Sequence, residues 1–167
     1  MEHAISLSFT IPGEPMGKQR PKATTIGGHA RVYTPKETIH YESNVVYFFR
    51  KAMEENHLFP DAILFKPNTP ITAKIVAKFP ITKQHYKYHK RTSSVELDNE
   101  GKLMKEGLIK PLKKPDTDNI AKICLDALNS FAYNDDSQIT ELIVNKIYTE
   151  TPSVEITLYG ELSDEQM

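Results

Sequence analysis

The chain has 167 residues, 39% of them hydrophobic and 26% charged, with a formal net charge of −1 and a single cysteine. That length suits one domain with a real core, and the composition excludes a wholly disordered chain. Cys124 alone cannot build a disulfide framework, no apolar run approaches the roughly 20 residues of a membrane span, and MEHAISLSFTI lacks the regions of a signal peptide. A soluble cytoplasmic protein without a membrane role is expected.

Ala4 to Ile11 mixes alternation with β-branched residues and predicts a strand. Pro12, Gly13, Pro15 and Gly17 then open a loop, GEPMGKQRPK, and Arg31 to Tyr33 suits a short strand. In TPKE, Thr34 reads as N-cap, Pro35 as the first helical residue and Glu37 as the partner in a capping box. The helix should run to about Asn56, with Ile39, Val46, Phe49 and Met53 facing the core. Ile71 to Phe79 alternates as a second major strand. From Ile81 to Pro115 periodicity dissolves into a long polar, basic loop, in which LMKEGLI could form one helical turn.

A second helix follows Asp116. Ile120, Ile123, Cys124, Ala127, Leu128 and Phe131 recur at helical spacing as a buried stripe, while Asp118, Lys122 and Asp126 step along the solvent side. SQITELIVNKIYTE and PSVEITLYG then read as a hairpin turning at Thr151–Ser153. The first of these strands carries Ile139, Ile143 and Ile147 on one face and Leu142, Val144 and Tyr148 on the other. The fold class expected is α/β of the α+β type. It is a single compact domain over residues 1–160, a mixed β-sheet packed by two main helices with a long basic loop at 81–115, followed by an acidic tail at 161–167.

Charge is segregated. Pro15 to Lys36 carries Lys18, Arg20, Lys22, Arg31 and Lys36 with no acid. Lys83 to Lys114 sets nine cations against Glu96, Asp98, Glu100 and Glu106, a net of +5. Such blocks make a local field even when the total cancels. Between and after them lie Asp116, Asp118, Asp126, Asp135 and Asp136, with Lys122 among them.

Each acid alone has a bland explanation. Asp116 or Asp118 can complement a helix N-terminus, Asp126 can pair with Lys122 at i+4, and Asn134-Asp135-Asp136-Ser137 is good turn chemistry. Together they suggest more. If the strand after Asp135 or Asp136 passes back beside the helix, one of these two can join Asp116 and Asp118 around a hard divalent ion such as Mg²⁺. Lys122 would then stand one turn onward as a fixed charge beside a phosphate. Metal, carboxylates and lysine next to basic loops suit phosphodiester hydrolysis.

Other motifs fail. A calcium loop begun at Asp116 would place Ala121 where Gly belongs and Ala127 where Glu belongs, and neither GxxxxGK[ST] nor GxGxxG occurs. His85 and His89 in HYKYH lack a third zinc ligand, whereas Tyr86 and Tyr88 amid lysines suit base stacking.

KPDTDNIAKICLDALN followed by DDSQI, with the earlier GEPMGKQRPK, resembles the RusA family of Holliday junction resolvases. The resemblance implies that Asp116, Asp118 and Asp136 bind Mg²⁺, with Mn²⁺ as a substitute, and that Lys122 assists at the phosphate. It implies a homodimer that cuts four-way DNA junctions, in a family often carried by prophages. Lys18, Arg20, Lys22, Lys113 and Lys114 are the expected DNA contacts. The alternatives are a structure-selective nuclease for other branched DNA and an inactive DNA-binding protein.

Overall fold

The computed structural model describes residues 3–167. Its centre is a four-stranded sheet built from β1 (Ala4–Pro12), β4 (Ile71–Pro80), β7 (Ile139–Thr149) and β8 (Ser153–Glu161), in the order β1-β8-β4-β7. β8 runs antiparallel to both β1 and β4, while β7 lies parallel to β4. One face is apolar and continuous across the strands. Phe9 pairs with Ile156, which pairs with Ile75, and Leu7, Leu158 and Ala73 form the next row. Two helices cover this face, α1 (Lys36–Glu55) and α3 (Thr117–Ala127), which also contact each other. The mixed α/β single domain expected from the sequence is therefore the fold found.

The departures have physical causes. β7 and β8 are not a hairpin, because β4 lies between them and pairs with both. A strand buried along one face and flanked on both edges is the natural centre of a sheet, and ITAKIVAKF is the most apolar of the four. β7 is left as an edge strand with Leu142 and Ile143 exposed. An irregularity opposite Ile71/Thr72 also returns Ile139 to the core face, so it does not share a face with Ile143 and Ile147.

α1 starts one residue later than TPKE predicts. Pro35 is extended (ψ 144°) and is itself the cap, its carbonyl accepting from Thr38 and Ile39 N–H, so no side chain closes a capping box. The buried stripe is rotated to Thr38, Tyr41, Val45, Phe49, Ala52 and Met53; Phe49 and Met53 hold, Val46 is half-buried and Ile39 is exposed. Phe49 meets Phe9 of β1 edge-on with ring centroids 5.6 Å apart, which fixes the helix by its larger aromatic rather than by Ile39.

The 81–115 segment is not structureless. It forms a hairpin, β5 (Tyr86–His89) with β6 (Ser94–Leu97), and then α2 (Asn99–Lys105), which packs on β7. Asp98 caps α2 by accepting from Gly101 N–H at 2.7 Å and faces buried His85 Nδ1 at 3.2 Å. Local capping, not hydrophobic period, makes this helix. The other hairpin, β2 (Lys22–Ile26) with β3 (His29–Tyr33), extends the single strand expected at Arg31. The acidic tail is docked: Ser163 Oγ donates to Ile63 C=O, and the Gln166 amide donates to Phe59 and Ala62 C=O.

Candidate nuclease site

α3 places the aspartates. Its buried side is wide: Ile120, Ala121, Ile123, Cys124, Leu125, Ala127 and Leu128 are all inside, whereas Phe131, beyond the helix, is exposed. Burial pushes the Cys124 thiol up to about 12, which removes it as a nucleophile. Asp116 is the N-cap by backbone only. Its carbonyl accepts from Ile120 N–H at 3.0 Å, yet its carboxylate makes no capping hydrogen bond and is left exposed. Asp118 in the first turn and Lys122 one turn later are exposed as well, and neither makes an ion pair among the described residues.

The opposite end of α3 is crowded with charge. Asp126 does not pair with Lys122. It lies 3.5 Å from Lys18 Nζ, which also contacts Glu42 of α1. Burial works to lower the Lys18 pKa, but the two carboxylates outweigh it and hold the ammonium above its ordinary range. Lys18 is thus engaged within the protein, while Arg20, Lys22, Lys113 and Lys114 are exposed. Lys113 is steadied from below: its carbonyl accepts from Lys146 Nζ, and both ammonium groups lie over the Phe79 ring at 5.7 and 5.0 Å.

Asp135 and Asp136 diverge although they are adjacent. The Asp135 carboxylate is held below the ordinary pKa range by the Ser137 hydroxyl first and then by the Ser137 N–H, from which it accepts at 3.3 Å. Asp136 is pushed the other way, by burial first and then by the neighbouring Asp135 and Asp126 carboxylates. Asn129 Oδ1 accepts from Asp136 N–H at 2.9 Å. Gln138 accepts from Asn134 N–H and donates to the Lys66 and Thr69 carbonyls at 3.0 and 3.1 Å, pinning the turn to the loop before β4. Glu42, Asn129 and Gln138 are absent from the sequence expectation. Only Gln138 left a signal, the Asp-x-x-Gln spacing of a capping box.

The structure therefore groups Asp116, Asp118 and Lys122 toward the N-terminal end of α3 and Asp126 with Asp136 at the other, separated by about 12 Å of helix from 118 to 126. Among the described residues, no three acidic, histidine or cysteine side chains stand together as a metal cage. The donor chemistry nonetheless fits a hard divalent ion: every candidate ligand is a carboxylate oxygen, and Asp136 is crowded by anions that a cation would relieve. His85 and His89 face Asp98 and Glu96 separately and share no site.

The basic loop is fitted to the same helix. Lys18 N–H donates to Asn119 C=O at 3.0 Å, and a Cβ on Gly17 would stand 2.8 Å from Pro115 Cβ and 3.1 Å from Asn119 Cβ. No helix among the described residues is long and apolar enough to cross a membrane. The family model for endodeoxyribonuclease RusA matches residues 12–159. The uncharacterized protein YqaN of Bacillus subtilis (strain 168) is 29% identical over 152 residues, covering 91% of this chain and 94% of that protein. The match takes in the fitted loop, both main helices and the aspartate turn, and the chain belongs to the RusA family of endodeoxyribonucleases.

Proposed function

We propose that the protein resolves four-way DNA junctions by paired, symmetric phosphodiester hydrolysis, using Mg²⁺ held by Asp116, Asp118 and Asp136, with Mn²⁺ as a substitute. The observation that carries this reading is the exposed pair Asp116 and Asp118, left without structural partners beside exposed Lys113, Lys114 and Lys122. A capping pair would have been consumed by the helix. Asp136 is favoured over Asp135 because the turn already uses the Asp135 carboxylate.

When bound, the ion supplies Lewis-acid stabilisation of the charge that develops on the phosphoryl oxygens. The protein's own groups do the rest. Lys122 holds a fixed positive charge one turn from Asp118, where it would steady a phosphate beside that carboxylate. Asn129 and Gln138 hold the backbone of the Asp136 turn and so fix the point from which its carboxylate would approach the ion. Lys18, engaged by Glu42 and Asp126, anchors the basic loop, while Arg20, Lys22, Lys113 and Lys114 meet DNA phosphates.

Two cuts related by a junction's two-fold axis need two sites, and this chain supplies one. A C₂ homodimer is the simplest source of the second. The exposed edge of β7, with Leu142 and Ile143, supports an interface there, which would need about 800 Å² per partner. The test is a divalent-ion titration of cleavage on a synthetic four-way junction, with flapped and linear duplexes alongside. Paired symmetric nicks on the junction that require Mg²⁺ are expected. Preferred cutting of a flap would move the substrate, and binding without cutting at any ion concentration would leave only a DNA-binding protein.

A further inference from the structure

The β2–β3 ribbon, Lys22 to Tyr33, has no buried residue on either strand. A two-stranded ribbon with neither face packed is at best marginally stable in water, so it calls for a partner. Gly27 and Gly28, both left-handed (φ 59° and 80°), close it as a tight two-residue turn. The register sorts its side chains. Lys22 faces Tyr33, Thr24 faces Arg31 and Ile26 faces His29, so these six share one face. Ala23 with Val32, and Thr25 with Ala30, make the other, which is small and uncharged.

We propose that this ribbon is a DNA-reading arm whose Lys22/Thr24/Arg31/His29 face enters the major groove of the duplex beside the cleaved strand. The proposal rests on the nuclease reading above, which assigns only Lys22 of this ribbon to DNA, and adds Thr24, His29 and Arg31 as groove contacts. Charge complementarity favours DNA: from Pro15 to Lys36 there are five cations and no acid. Shape does too. The major groove is about 12 Å wide and admits a two-stranded ribbon, and the small back face keeps this one thin. Its cationic face mixes the required chemistries: Arg31 and Lys22 for phosphates or guanine, and Thr24 and His29 for base-edge hydrogen bonds. Four residues before the ribbon, Lys18 is bonded to Asn119, so the arm is rooted beside the turn that carries Asp116 and Asp118. A groove contact made by this arm would therefore select which phosphate reaches those carboxylates.

The test uses the full chain with Asp118→Asn to hold the junction uncut. Dimethyl sulfate reads guanine N7, which lies in the major groove, and anisotropy at several KCl concentrations reads phosphate contacts. Protection of guanines on one arm is expected, lost in Arg31→Ala and Lys22→Ala and kept in Thr25→Ala on the back face. Each cation removed should flatten the salt slope by about 0.9. Unchanged N7 protection and an unchanged slope in both cation variants would overturn the arm, as would a change in sedimentation showing that the ribbon holds a second copy instead. Loss of all junction binding and cutting in the unsubstituted protein would remove the nuclease reading itself; cutting with ribbon variants indistinguishable from it would remove the arm alone.

Discussion

Gly17→Ala tests whether the basic loop is held in place by its fit to α3. The residue has room for hydrogen only: the new Cβ would lie 2.8 Å from Pro115 Cβ and 3.1 Å from Asn119 Cβ, the first a ring atom that cannot swing away. The loop must lift instead. Lifting strains the Lys18 N–H bond to Asn119 C=O and draws the Lys18 ammonium from Glu42 and Asp126. Overpacking of this kind costs about 1–3 kcal/mol. Alanine returns about 0.4–1 kcal/mol by restricting the unfolded chain. The difference is a net loss of up to about 2.6 kcal/mol, centred near about 1.3 kcal/mol, which a urea slope of about 2 kcal/mol/M converts to a midpoint lower by roughly 0.7 M. A domain stable by at least about 5 kcal/mol stays almost wholly folded after that loss. Weaker junction binding in dilute buffer at 25 °C would therefore report loop geometry rather than unfolding. A midpoint within about 0.2 M of the parent, together with unchanged affinity and cleavage, would refute the claim that the loop is clamped there.

Asp118→Asn should leave stability within about ±0.5 kcal/mol, since the side chain is exposed and unpaired, while cleavage collapses and junction binding survives. Calorimetry with Mg²⁺ at 100 times its Kd should stabilise the parent by about 2.7 kcal/mol and this variant far less. Gln138→Ala removes three hydrogen bonds and leaves the Thr69 carbonyl without its donor, while the Lys66 carbonyl keeps Thr69 Oγ1; a loss of about 1–3 kcal/mol is expected in urea, with cleavage lowered further by a loosened Asp136 turn. Asp98 is held below the ordinary aspartate value of 3.8, by the Gly101 N–H first and then by His85. A depressed carboxyl stabilises the fold above its unfolded pKa, so the gap between parent and Asp98→Ala should persist at neutral pH and narrow as pH falls below about 3.8. A pH-independent gap in thermal midpoint would contradict that sign.

What was legible in the sequence was whatever local pattern decides. α3 announced itself because five apolar residues recur on one side and aspartates flank its start; β1 and β4 alternate plainly. Partner choice between strands was not legible. VEITLYG and ITELIVN look like a hairpin, and only the insertion of β4, some 60 residues earlier in the chain, decides otherwise. α2 was obscured for another reason: seven residues capped by Asp98 carry too little hydrophobic period to outvote the surrounding lysines. The expected Lys122–Asp126 pair failed because a residue more than 100 positions away, Lys18, reaches Asp126 first. Long-range electrostatics leaves no trace in spacing.

The five aspartates between Lys113 and Ile139 divide by what the fold asks of them. Asp126 is committed to Lys18, and through it to the basic loop and α1. Asp135 is committed to its own turn through Ser137. Asp116 and Asp118 have no such employment, although a helix N-terminus offers free N–H groups that a carboxylate could readily cap. The Asp136 carboxylate has no hydrogen-bond or ion-pair partner among the described residues, and burial with the Asp135 and Asp126 charges disfavours its ionised form, which a cation would relieve. The three whose side chains bring the fold no stabilising contact are the three that the family resemblance singles out. A surface under selection for stability alone would have capped α3 with Asp116 and relieved Asp136 with a neutral side chain. Keeping three idle carboxylates within one helix and the turn after it makes sense where their ligand arrives with the substrate.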